Sequence, residues 1–82
     1  MTILKNDTVY EDEIFSGMKA VSLKVSRSTF EQCQFLDCDL AEAEFDQCRF
    51  IECEFRDSNL NVTKLPGSRF FESQFKDCKV TG

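Results

Sequence analysis

At 82 residues the chain is long enough for one domain, and short enough that the size of its core is a concern. A net charge of −5 suits a soluble protein and argues against direct nucleic-acid binding, and no apolar run approaches the length of a membrane-crossing helix. The opening Met1–Asp7 lacks the basic-then-apolar layout of a secretory signal, so the expected compartment is cytoplasmic and no membrane partner is expected.

Taken in order, residues 1–14 read as an irregular lead-in or cap, with Thr2 to Lys5 as a candidate edge strand. Tyr10 begins a lattice in which every fifth residue through Val80 is apolar or Tyr. Its central run is Phe30, Phe35, Leu40, Phe45, Phe50, Phe55, Leu60, Leu65, Phe70 and Phe75. An α-helix would spiral these residues around its surface, and a flat strand would send them alternately to opposite faces. A chain that turns a corner every five residues puts all of them inside, which is the mark of a repeat solenoid.

Two places before each lattice residue lies a small one, without exception from Ser28 to Cys78. Earlier occupants of the slot are Glu13, Met18 and Leu23, so the first coil is expected to be distorted. All five cysteines (Cys33, Cys38, Cys48, Cys53 and Cys78) fall in the slot, which reads them as small buried hydrophobes rather than disulfide partners. With no histidine and no Cys-x-x-Cys pair, neither a metal site nor a cofactor is expected. Leu65-Pro66-Gly67 marks a corner, because the lattice resumes at Phe70. The sequence then stops in mid-pattern at Lys79–Gly82, which points either to a truncated chain or to an end that pairs with another copy.

The motif small-x-large-x-x, as in Cys33-Gln-Phe35-Leu-Asp and Cys53-Glu-Phe55-Arg-Asp, resembles the pentapeptide-repeat family over residues 15–82. The resemblance implies an all-β, right-handed quadrilateral β-helix with four pentads per coil and about four coils of 20 residues. Spacing offers a separate check. Positions 20 apart sort into Phe15, Phe35, Phe55 and Phe75; into Tyr10, Phe30, Phe50 and Phe70; and into the aliphatic Ala20, Leu40, Leu60 and Val80. The fourth column mixes Val25, Phe45 and Leu65.

No catalytic constellation is visible, so the expected function is a non-catalytic interaction or scaffold module. Its partner is expected to be a protein or a second copy, met through the open C-terminal coil or through a patch made by Ile51 and Phe71. Phe71 is the one phenylalanine off the lattice. A possible acidic ladder stacks Asp37, Asp57 and Asp77 beside Glu52 and Glu72. These aspartates either form a repelling column, softened by Arg56 and Lys76, or serve as corner residues whose carboxylates accept backbone N–H bonds. The family supplies an alternative. Some members inhibit DNA gyrase and confer fluoroquinolone resistance by presenting an acidic rod that mimics duplex DNA. Three to four coils rise only about 15–19 Å, or roughly five base pairs, so mimicry here is expected to require end-to-end dimers or a C-terminal half missing from a truncated form.

Overall fold

The computed structural model describes residues 4–80 and contains ten three-residue strands and no helix among them. In chain order they are β1 (Val9–Glu11), β2 (Ile14–Ser16), β3 (Lys24–Ser26), β4 (Thr29–Glu31), β5 (Gln34–Leu36), β6 (Glu44–Asp46), β7 (Arg49–Ile51), β8 (Glu54–Arg56), β9 (Arg69–Phe71) and β10 (Gln74–Lys76). Every pairing is parallel and joins residues 20 apart. One wall is the sheet β1-β4-β7-β9, the next is β2-β5-β8-β10, and the third is β3-β6, extended by a bridge from Glu44 to Lys64. Single-residue bridges Lys19–Asp39–Asn59–Lys79 make the fourth wall. The result is a four-sided solenoid with 20 residues per turn.

Each strand is short because each pentad contains a left-handed corner. Described residues from Asp7 to Asp77, taken in steps of five, all have φ between 51° and 67°. Only two of them are glycines, Gly17 and Gly67. The corner turns the chain while keeping its N–H in the inter-coil ladder, as where Asp12 N–H donates to Glu31 O at 2.9 Å. Beside the aliphatic wall the corner tightens into β-turns, closed by bonds such as Ala43 N–H to Leu40 O at 3.1 Å, and one more such turn closes on the third wall with Ser68 N–H to Leu65 O at 3.2 Å. Pro66 and Gly67 occupy the middle of that turn, with the positive φ at the third position that a type II turn requires.

Inside, the aromatic columns stack face to face. Centroids lie 5.0, 4.9 and 4.7 Å apart along Tyr10–Phe30–Phe50–Phe70, and 4.9, 4.5 and 4.9 Å apart along Phe15–Phe35–Phe55–Phe75. Neighbouring columns meet edge to face, as Phe50 and Phe55 do at 5.7 Å and 61°. Both arrangements suit the ring quadrupole.

The stack reaches back to Tyr10, where the lattice begins. β1 lies within residues 1–14 yet pairs in register with β4, because Tyr10 already occupies the lattice. β1 thus joins the first wall from within residues 1–14. Of the candidate strand at Thr2–Lys5, Leu4 and Lys5 carry no strand, and Thr2 and Ile3 lie outside the described residues, as do Thr81 and Gly82.

Candidate interaction surfaces

The two ends of the solenoid differ. At the N-terminal end Leu4 folds across the core and is 3% exposed. Its neighbours hold it there. Lys5 N–H donates to Tyr10 Oη at 2.7 Å, Ser28 Oγ donates to Lys5 O at 2.6 Å, and Ser26 N–H donates to Asn6 Oδ1 at 2.8 Å. Arg27 grips the Asp7 carboxylate with two bonds of 2.6 and 3.0 Å, which holds that carboxyl below the usual range.

At the C-terminal end no described residue crosses the core. Phe75 is 47% exposed and Val80 66% exposed, and Leu65 is exposed beside them. With Phe70 and the rings beneath they line an open apolar cup of about 210 Å³. β9 and β10 each have a neighbour on one side only, so their outer edges present unpaired backbone groups around the cup. Such edges are templates for further pairing.

The acidic ladder takes its positions from the corners. Asp37, Asp57, Asp77, Glu52 and Glu72 all have φ of 51–53° and all are exposed. The carboxylates of the three aspartates accept no hydrogen bond among the described residues. The turn-capping role falls instead to Asp39 Oδ1, which accepts Ala41 N–H at 3.2 Å, and to Asn59 Oδ1, which accepts Asn61 N–H at 3.1 Å. Arg56 and Lys76 do not pair with the ladder either, since both turn to Glu54, at 2.6 and 3.8 Å. Their side chains start in strands, one residue before the corner, and on the same wall as Glu54. Ile51 and Phe71 are aligned as neighbours on the first wall, Ile51 half-buried and Phe71 exposed.

The small slot does more than fill space. Cys33, Cys38, Cys48 and Cys53 are buried free thiols, and Cys78 is half-buried. Each donates to the carbonyl of a lattice residue one coil down, as Cys53 Sγ does to Phe30 O at 3.1 Å and Cys78 Sγ to Phe55 O at 3.2 Å. Ser58, Thr63, Ser68 and Ser73 make the same bond through hydroxyls. Burial raises the buried thiols above their ordinary value, and pushes Cys53 up to about 11. Thiols held this way are poor nucleophiles. The described residues hold no cluster of three or more His, Cys, Asp or Glu placed to bind a metal ion. Among the described residues no helix is long and apolar enough to cross a membrane.

A family model described as a pentapeptide repeat region matches residues 28–82, two thirds of the chain. The chain belongs to the pentapeptide-repeat family. Its four walls, central large residue and inward small slot are those of a pentapeptide-repeat β-solenoid, a repeat scaffold that is generally non-enzymatic. A search of curated proteins finds no matching sequence.

Proposed function

We propose that this pentapeptide-repeat chain is a non-catalytic binding module that associates with a second copy through its C-terminal end. The observation that carries the reading is the apolar cup of Leu65, Phe70, Phe75 and Val80, ringed by unpaired strand edges. A surface of this outline is best covered by another of the same outline. Leu4 already covers the core at the N-terminal end, so the exposed apolar surface that a second copy offers to match the cup is its own C-terminal end. Contact between like ends is two-fold and stops at a dimer, whereas contact between unlike ends would propagate into a filament.

Sedimentation or light scattering over a range of concentrations tests this. The wild-type chain is expected to dimerise, and Phe75→Ser with Val80→Asp to remain monomeric while still folded. A wild-type chain that is monomeric at every concentration removes the self-association. A second reading, inhibition of DNA gyrase by an acidic DNA-like rod, draws on the exposed Asp37–Asp57–Asp77 column, which an end-to-end dimer would lengthen. Gyrase supercoiling left unchanged at large molar excess of the protein removes that reading.

A further inference from the structure

The first wall carries a second surface, separate from the end. On it the position before the inward ring reads Val9, Thr29, Arg49, Arg69 from coil to coil, and the position after it reads Glu11, Glu31, Ile51, Phe71. Charge and apolarity are thus gathered on the C-terminal half. Arg49 and Arg69 stand side by side, one coil apart, and both are exposed. Like charges in adjacent strand positions oppose one another unless an anion lies between them. Elsewhere the arginines are matched, Arg27 with Asp7 and Arg56 with Glu54. The Arg49 and Arg69 side chains have neither an ion pair nor a hydrogen bond among the described residues. Beside them Ile51 and Phe71 form an apolar step, and Phe71 leaves 43% of its surface to solvent.

The geometry points to a docking surface for an extended acidic segment of a partner protein, reading Asp or Glu, then any residue, then a large apolar residue. In an extended chain, side chains two residues apart lie on one face about 6.6–6.8 Å from each other, the same distance that separates the two columns of this wall. A segment laid parallel to β7 and β9 puts its carboxylate between the two guanidinium forks, which suit planar bidentate recognition. Its apolar side chain then falls on Ile51 and Phe71. The protein's overall negative charge does not forbid this, because exposed charges more than about 8 Å away are screened at physiological salt. A second copy fits less well. The described strand with an apolar and an acidic residue on this face is β1, Val9–Glu11, and its order is the reverse, so it cannot match in the parallel sense in which the docked segment runs.

The test is a titration of ¹⁵N-labelled protein with a short capped peptide centred on Glu-Thr-Phe. Amide shifts are expected in β7 and β9, with binding that weakens as salt rises. Arg49→Gln with Arg69→Gln should weaken binding about tenfold or more, and Phe71→Ser should also weaken it, each with an unchanged melting curve. Lys76→Gln, on the next wall, should bind as wild type does, and a Lys-Thr-Phe peptide should not bind. No shift at millimolar peptide overturns the proposal. So does equal binding by the double arginine variant, or a response confined to Phe75 and Val80, which would place the peptide in the end cup.

Discussion

Two residue types do unexpected work in this chain. The cysteines sit where a small residue is required, and sequence position alone reads them as filler. Their hydrogen bonds to carbonyls one coil down make the slot a polar clasp as well. Because burial raises the folded thiol above the unfolded one, the stability it contributes is complete below the ordinary value of 9.0 and is lost as pH rises towards about 11. Thermal melts should therefore be flat around neutrality and fall above pH 9, and Cys53→Ser should reduce that alkaline fall. Alkylation read by mass spectrometry should reach half-buried Cys78 before the other four. The second type is the corner residue. Val62 holds φ at 58° in the third position of a turn, where a β-branched side chain is strained. Half its surface is exposed, so little packing is at stake. Val62→Asn, which tolerates the left-handed region, should stabilise by about 1 kcal/mol in chemical denaturation.

The coil is the element here, and its inward half is legible in the sequence. Period five gave the corners, and sorting at period twenty gave the columns that the strand register reproduces. Those features are legible because a buried ring leaves an unmistakable mark in sequence. The corner conformation was not, since Asp, Glu, Gln, Arg, Ser and Val all occupy it. Gly17 and Gly67, both two places after a lattice residue, were the signal available. The partners of Arg56 and Lys76 were also hidden, because long exposed side chains choose among several carboxylates within reach. The columns carry a prediction of their own. Phe55→Ala removes a ring stacked on both sides and 2% exposed, and should cost about 3–5 kcal/mol. Phe75→Ala removes a ring stacked on one side and half open to solvent, and should cost about 1–2 kcal/mol. Equal costs in matched melts would mean that the two rings are equally covered.

For the whole molecule, the difference between the ends sets how stability is distributed. Each coil touches only its neighbours, so an end coil has half the support of an inner one. Leu4 supplies some of the missing support at one end, and no described residue supplies it at the other. Hydrogen exchange, measured dilute enough to keep the chain monomeric, should therefore be fastest in residues 64–80, intermediate in residues 5–20 and slowest between them. The constant register has a kinetic side as well. Since every strand pair joins residues 20 apart, the first coil and the last are separated in space but never need to find one another along the chain. Each added coil closes a loop of the same length at the same entropic cost, on a template the previous coil has already built. Folding then becomes one slow first closure followed by repeated winding, and a longer chain of this design would gain a step without gaining a longer search.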